Sequence, residues 1–356
     1  MVDFRYHLVS LIAVFMALAV GVVLGAGPLQ NSIGSALNDQ VESLRVSRDE
    51  AREDADEADQ RSEAYQQGLV SLAPDMIEGT LDGQSVVIVT LPNTSEEAIE
   101  IHRTNLAAAG ADVTGTLQLT ETFFSPGSSS YRTALAGQLD SYVDQGDSPL
   151  GTLGRGLELI VTTETDDSSA ATLAQLYQAS DNALIEVKDT LTGPATAILL
   201  IGPTDEEIPE EIDDEYETIR ANQIELISSI DTPLVFTSGS GDGTLLDAVR
   251  ADDRSASTVD SPEDATALIN VPFALTQELT GSTVTWGVGG SADLVLGNAA
   301  PIELAADPET DGAEGDEPVD AGDVDLRDPL NENPVEPTSE PEEGSDDTAA
   351  AEDDES

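Results

Sequence analysis

The sequence has no cysteine, one lysine (Lys188) and two histidines (His7 and His102) in 356 residues. The absence of cysteine excludes disulfides, thiol catalysis, cysteine-type zinc sites and lipoprotein anchoring. With one lysine and two histidines, most enzyme chemistries lack part of the side-chain set that they need. We therefore predict that the protein is not an enzyme, and keep an enzymatic α/β domain only as a third alternative.

Basic residues are also few, because 13 Lys and Arg stand against 71 Asp and Glu, a formal net charge of −58. A field of that sign repels phosphate, so the sequence predicts no binding to nucleic acid or to an anionic lipid surface. The hydrophobic fraction of 39% still allows one good-sized core. The composition thus predicts a folded domain in a strongly acidic chain.

One long hydrophobic run is present, from Leu8 to Gly27, with twenty residues and no charge. It would span about 30 Å as a helix, so we predict a transmembrane helix over 8–27. The alternative is a signal peptide, but the run is longer than usual for one and Pro28 follows the expected cut. Arg5 precedes the run and the next basic residue is Arg45, which predicts a cytoplasmic N-terminus (1–7) and a single-pass protein of the cell membrane with its main domain outside.

Small residues recur every four positions along this helix, at Ala13, Ala17, Gly21 and Gly25. Such a stripe lets two membrane helices approach closely, which indicates a homodimer or a partner helix. The alternative is that alanine and glycine are simply common in membrane helices.

A stalk is predicted over 35–73, after a Gly/Pro/Ser break from Gly27 to Gly34, because the apolar positions follow a 4-3 spacing. The apolar ends of this coiled-coil seam are Leu37, Val41, Leu44, Tyr65, Leu69 and Leu72. Its middle contains Arg48, Ser62 and alanines, so an isolated dimer would be weak there. The stalk is either a parallel homodimer held at its ends, a docking surface for another protein, or a solvated spacer.

The region 81–300 has apolar runs separated by helical patterns, which predicts an extracytoplasmic α/β domain with a mainly parallel sheet. The runs are SVVIVTL (85–91), LELIVTT (157–163), ALIEV (183–187), TAILLIG (196–202) and PLVFTSG (233–239). LELIVTT could equally finish a helix. Helices are predicted over 96–109, 168–179, 210–230 and 262–279, while the form of 283–297 is left open. Two similar lobes joined near Gly193 are an alternative division of this domain.

The last segment, 301–356, is a predicted disordered acidic tail. From Glu303 onward it has 22 acidic residues and one basic residue, Arg327, with almost nothing apolar. Such a composition cannot offset the entropy of ordering the chain.

Residues with chemistry of their own are scarce. His102 lies in a predicted helix beside Arg103 and is expected to be an ordinary surface residue. The loop GSGDG (239–243) resembles a phosphate-binding turn but lacks lysine, so a tight strand-to-helix turn is favoured. The candidate copper donors are Met1, Met16, Met76, His7 and His102. This set predicts weak copper binding, and no cofactor is certain.

Several motifs together resemble a known family. They are YHLVSLIAVFMALAVGVVLGAG (6–27), SVVIVTLPN (85–93), GADVTGTLQLTETF (110–123) and STVD (257–260), with a coiled coil between the first two. In this order they resemble the actinobacterial copper-transport protein B family, the MctB-like proteins, over about residues 1–300; the long acidic tail departs from the family pattern. The resemblance implies copper transport and copper ion homeostasis, with a pore in the outer envelope. Some relatives resemble envelope regulators of cell separation that have a cytoplasmic partner.

The residues themselves favour a further alternative. One helix and a soluble α/β domain enclose no channel, so a pore would need oligomers. We therefore keep a second hypothesis, a coiled-coil scaffold of the cell envelope that recruits protein partners and has no transport activity of its own.

Overall fold

The structure, a computed structural model, describes residues 4–26, 28–179, 182–206, 208–209, 212–252 and 256–302, without the side chains of 26–36. The predicted acidic tail lies outside the described residues from residue 303 onward. The described chain contains an N-terminal apolar helix and a mostly parallel sheet, which confirms the predicted α/β class.

The first helix, α1, covers Phe4–Ala26. Among the described residues it is the helix whose length and composition suit a membrane span, and none of its apolar stretch is buried in the protein. The small-residue stripe lies on its exposed surface, and nothing approaches within 4 Å of a Cβ built on Gly21 or Gly25. The pairing predicted for this stripe stays a prediction.

The second helix, α2, runs without interruption over Pro28–Ile77, or about 75 Å. The break predicted from Gly27 to Gly34 is therefore wrong for residues 28–34, while Gly27 itself lies outside the described residues. Proline is compatible with the first turn of a helix, where its missing N–H has no intrahelical partner in any case. The predicted helical stalk is present, and its pairing as a coiled coil stays a prediction.

The C-terminal end of α2 packs against the α/β domain. Leu69 is half-buried there, and Ala73 and Ile77 are buried in the core. Gln66 Oε1 accepts a hydrogen bond of 3.0 Å from the backbone N–H of Ala265. One residue of the predicted seam, Leu69, thus contacts its own domain, whereas Tyr65 and Leu72 are exposed.

The domain is built on one seven-stranded sheet in the order β3-β2-β1-β4-β5-β6-β7. All neighbouring pairs are parallel except β2 with β3, which are antiparallel. The strands are β1 (Ser85–Thr90), β2 (Asp112–Leu119), β3 (Ile185–Asp189), β4 (Ala197–Ile201), β5 (Leu234–Ser238), β6 (Ser257–Asp260) and β7 (Thr285–Trp286). The predicted runs at 85–91, 196–202 and 233–239 are confirmed as central strands.

Helices cover both faces of the sheet, which is why the central strands are apolar on both sides. They are α3 (Glu96–Ala108), α4 (Glu121–Phe124), α5 (Ser129–Ala136), α6 (Pro149–Thr162), α7 (Ser168–Tyr177), α8 (Asp214–Ser228), α9 (Leu245–Arg250) and α10 (Ala265–Leu279). Val86 and Ile88 of β1 face the layer that contains α3, α10 and the end of α2. Val87 and Val89 face the layer that contains α6 and α8.

Three segments differ from their predicted structure. LELIVTT is not a strand but the end of α6, as the alternative allowed, because Leu153, Leu157 and Ile160 continue a buried helical spacing. Two strands, β2 and β6, were not predicted as strands. Both are rich in threonine or other polar residues, and they are strands because they pair with apolar neighbours in the sheet.

His102 is completely buried, so the prediction of a surface residue is wrong. It lies on the inner face of α3 with Ala98 and Leu106, one helical turn away on either side. Burial penalises the imidazolium form and lowers the pKa of His102 to about 4. The histidine is therefore neutral at pH 7.

A buried ion pair joins α9 to the end of β6. The side chains of Arg250 and Asp260 are 3% and 0% exposed, with 3.4 Å between Nη2 and Oδ2. Asp260 also accepts hydrogen bonds of 2.8 Å from the N–H groups of Val288 and Gly289. The carboxylate thereby holds the glycine-rich loop after β7.

We expect the free energy of unfolding to fall between pH 7 and pH 5, partly because of His102. Its pKa is lower in the folded chain than the ordinary 6.5. The unfolded chain therefore takes up the proton first, and the stabilisation present above pH 6.5 is lost toward pH 4. His102→Gln should reduce the pH 7 to pH 5 difference by about 2 kcal/mol in urea unfolding of the full-length protein. An unchanged difference would contradict the buried, neutral state.

We expect Asp260→Ala to lower the free energy of unfolding by about 3–5 kcal/mol, because it leaves Arg250 buried without its counter-charge. The matched control is Asp189→Ala, which removes one of the two carboxylate partners of Arg103; the side chains of Asp189 and Arg103 are 44% and 33% exposed. That change should cost about 1 kcal/mol or less. Similar losses for both variants in urea unfolding would show that burial does not determine the contribution of the first pair.

Candidate functional site

The connections after β1 and β4 leave the sheet in opposite directions. The chain passes from β1 to α3 on one face, and from β4 toward α8 on the other face. When the connections after two adjacent parallel strands go to opposite faces of the sheet, a crevice forms at the carboxyl ends of those strands. Doubly wound α/β proteins bind ligands in that crevice. A cleft of about 730 Å³ lies at this position, and we refer to it as the switch-point cleft.

The switch-point cleft has walls from five segments of the chain. Its acidic lining is Glu121, Asp205, Glu206 and Glu215. Its apolar lining is Pro92, Phe124, Pro203, Ile219 and Leu245. Its remaining polar lining is Asn93, Ser125, Tyr216 and Gln223. The lining therefore combines an apolar surface with carboxylates, and the described residues that form it include no basic side chain.

Local turns and caps position these walls. Asn93 has a φ of +65°, a left-handed conformation that asparagine tolerates better than most residues, and it turns the chain sharply after β1. The carbonyl of Phe124 accepts a 2.6 Å hydrogen bond from Asn222 Nδ2, which ties α4 to α8. Arg132 is buried and donates hydrogen bonds to the carbonyls of Thr122 and Ser125, which fixes the end of α4.

Glu206 is the centre of a hydrogen-bond network at one end of the cleft. Its carboxylate accepts from Arg220 Nη2 at 2.6 Å, from the N–H of Leu245 at 2.7 Å and from Tyr216 Oη at 3.1 Å. Arg220 also lies over the Tyr216 ring, 4.7 Å from its centroid, and donates to the carbonyl of Gly243. Burial, followed by the charge of Glu206, raises the pKa of Tyr216. The backbone N–H at the start of α9 thus already donates its hydrogen bond to a carboxylate of the protein itself.

The other acidic residues of the cleft have free carboxylates. Glu121, Asp205 and Glu215 are exposed, and among the described residues their side chains form no hydrogen bond or ion pair. Arg220 neutralises only Glu206. The cleft therefore has excess negative charge and is unsuited to the phosphate groups that this position binds in many α/β proteins.

A second hydrogen-bond bridge lies beside the same edge of the sheet. Glu263 Oε1 accepts from Ser95 Oγ at 2.7 Å and from Thr204 Oγ1 at 2.9 Å, which joins the loops after β1 and β4. Ser95 Oγ also accepts from the N–H of Ala98 and so caps α3. The hydroxyl groups are used to hold the two loops together.

The GSGDG loop connects β5 to α9 as a tight turn, as the favoured interpretation predicted. Gly241 and Gly243 both have positive φ angles. A side chain at Gly239 would overlap the carbonyl of Thr204, because a Cβ there would lie 1.8 Å from that oxygen. The glycines serve chain reversal and close packing. The phosphate-binding alternative is not supported, because Glu206 already occupies the amide of Leu245.

The candidate copper donors do not form a site in the described part of the chain. His102 is buried inside the domain, Met76 is partly exposed at the end of α2, and His7 and Met16 lie on α1. No group of three His, Asp or Glu side chains among the described residues is arranged to hold a metal ion. The donor set does not fit a soft ion such as Cu(I), which prefers sulfur ligands.

These features define a class: an α/β protein with a doubly wound sheet, joined through one long helix to an apolar N-terminal helix. The chain belongs to the family described as copper transport outer membrane protein MctB, which matches residues 1–296. The family resemblance predicted from the sequence motifs is thereby confirmed.

Curated relatives carry the same family name. The protein named copper transporter MctB from Mycobacterium tuberculosis is 32% identical over 123 residues, which are 35% of this chain and 39% of the relative. The protein of that name from Mycobacterium leprae matches with the same identity and coverage. The similarity thus spans about two-fifths of the length of these relatives.

Among solved structures, a putative aspartate carbamoyltransferase from Leishmania major aligns with 64% of this chain and 94% of its own, at 14% identity and a TM-score of 0.13. The aspartate transcarbamoylase of Trypanosoma cruzi, solved with phosphate, also has a TM-score of 0.13. Scores this low carry no argument about fold or catalysis.

Proposed function

We propose that this protein is a single-pass, membrane-anchored protein of the cell envelope that takes part in copper transport. The observation that carries the proposal is the family match over residues 1–296, which includes the apolar helix, the stalk and the α/β domain. The same match favours copper transport over a role in cell separation. The proposal concerns participation in transport, without assigning a copper-binding site to the domain.

Membrane anchoring by α1 is part of the proposal. Its length and exposed apolar surface suit a membrane span. The distribution of basic residues supports a cytoplasmic segment 1–7, with α2 and the α/β domain on the other side. From Pro28 to Tyr65, before α2 meets its domain, the helix would hold the domain about 57 Å away from the membrane surface.

The α/β domain would contribute through protein contacts rather than by conducting copper. Both faces of its sheet are covered by helices, and the central strands are fully buried, which leaves no passage through the sheet. The histidine and methionine residues that the structure describes are not gathered into a site. Copper is thus the cargo of the system in this proposal, and the domain contacts other protein components.

We further propose that the protein acts as a parallel dimer, with contacts along the α1 stripe and at the ends of the stalk. Leu37, Val41 and Leu44 are exposed on α2 near the membrane end, as are Tyr65 and Leu72 near the domain. Because Leu69 already packs against its own domain, Tyr65 and Leu72 would make the inter-chain contacts at that end. No opposing charge pairs strengthen the middle of the seam.

We expect a strain that lacks the protein to tolerate less copper than its parent, with normal tolerance restored by the full-length chain. A second version, in which a cleavable signal replaces residues 1–27, should fail to restore tolerance because the domain is no longer anchored. Growth across a series of copper concentrations measures the effect, and the same series with zinc is the control. Equal copper tolerance of parent and deletion strain, or chained cells without copper sensitivity, would contradict the proposal.

We expect Leu44→Asp to weaken dimerisation of the full-length protein in detergent, because it places charge in the seam. The matched control is Val46→Asp, which changes an exposed residue on the outer side of α2 and should leave the dimer intact. Gly21→Leu should also weaken the dimer by separating the α1 helices.

The absence of native cysteine allows crosslinking from single introduced cysteines to measure the dimer. Leu44→Cys and Leu72→Cys should crosslink efficiently and Ala55→Cys poorly. Crosslinking that is uniform through 51–58, or that is absent at residues 44 and 72, would contradict the arrangement.

A further inference from the structure

We propose that the switch-point cleft binds a small organic cation, an ammonium group attached to an apolar body. The cleft is independent of the stalk and of the membrane helix, and nothing in the proposed copper role assigns it a ligand. Its position, its charge and its apolar lining each restrict the ligand that it can take.

The position indicates a ligand site. The cleft opens between the carboxyl ends of β1 and β4, where the two following connections separate to opposite faces of the sheet. Its volume of about 730 Å³ lies in the range of small-molecule sites. The walls are held by the Glu206 network and by the hydrogen bond between Asn222 and the Phe124 carbonyl. The cleft is therefore preformed.

The negative charge of the cleft favours a cation as its ligand. Glu121, Asp205 and Glu215 line the cleft with carboxylates that have no partner among the described residues, and the lining holds no basic side chain. The guanidinium of Arg220 is bound to Glu206. These three carboxylates would repel a bound anion, whereas an ammonium group would replace water as the partner of one of them.

The arrangement also distinguishes an organic cation from a metal ion or a phosphate ester. No three acidic side chains in the described chain are grouped closely enough to share one metal ion. The amide at the start of α9, which would be a donor to a phosphate, is occupied by Glu206 at 2.7 Å. One ammonium group needs only one carboxylate as a direct partner, and the other two carboxylates add longer-range attraction.

Part of the lining is apolar. Phe124 and Leu245 are buried beneath its surface, and Pro92, Pro203 and Ile219 are part-exposed. An apolar body placed against these residues would remove hydrophobic surface from water on both partners. The combination of a charged rim and an apolar wall is the complement of an arylalkyl or alkyl amine.

The first test compares three probes of one shape on the full-length protein in detergent, by calorimetric titration at about 0.15 M salt, where weak surface attraction is screened. The probes are phenethylammonium, its neutral analogue 2-phenylethanol and the anion phenylacetate. We expect one phenethylammonium to bind per chain, about tenfold more tightly than 2-phenylethanol, because each partly exposed ion pair adds a modest amount to the affinity. We expect no binding of phenylacetate. Equal binding of the cation and the neutral analogue would overturn the proposal.

The second test locates the bound cation. Asp205→Asn and Glu215→Gln should each weaken phenethylammonium binding about two- to fivefold. The matched control is Glu217→Gln, which changes an exposed acid of α8 that does not line the cleft. Equal losses in all three variants would show diffuse attraction to an acidic chain and would overturn the assignment to the cleft. Urea unfolding of each variant shows that the domain remains folded.

Discussion

Burial of β1 and β4 on both faces is the constraint on which the rest of the structure depends. Their side chains are almost wholly inaccessible, from Val86 to Val89 and from Ala197 to Ile201. A strand buried on both sides needs a layer of helices above and below it, and parallel strands need crossover connections that supply those helices. The reversal of direction between the connections after β1 and β4 follows from covering both faces. The switch-point cleft is the result at the carboxyl edge of the sheet.

The same layer of helices explains how the stalk is joined to the domain. Ala73 and Ile77 at the end of α2 belong to the hydrophobic core beside α3 and α10, and Leu81 continues that contact after the helix. The bond from the Ala265 N–H to Gln66 lies one turn before Leu69. The last turns of α2 are therefore part of the domain, while the earlier turns project from it. The domain is thus fixed relative to the last turns of α2 by direct packing.

Charge has two different roles in this acidic chain. Where carboxylates are buried or half-buried they are bound, as in Asp260 with Arg250 and Glu206 with Arg220, because an unpaired charge away from water is costly. Exposed carboxylates such as those of Asp205 and Glu215 have no partner among the described residues, and they give the cleft its negative charge. Arg250 and Arg220 thus lie at positions where a carboxylate would otherwise be shielded from water without a counter-charge. The excess of acid remains at the surface, where water solvates it.

The sequence by itself determined the apolar helix α1, the long polar helix α2 and the central strands β1, β4 and β5, because each has a local pattern that one structure satisfies. It also indicated the family through motifs that lie mainly in those elements. Only the tertiary structure decided that LELIVTT ends a helix, that the polar segments β2 and β6 are strands, and that His102 is buried, because each depends on which surface the segment packs against. The local sequence pattern also could not predict the cleft. Asn93, Glu121, Asp205 and Glu215 are distant in sequence and carry no shared motif, and only the folding of the sheet places them around one cavity.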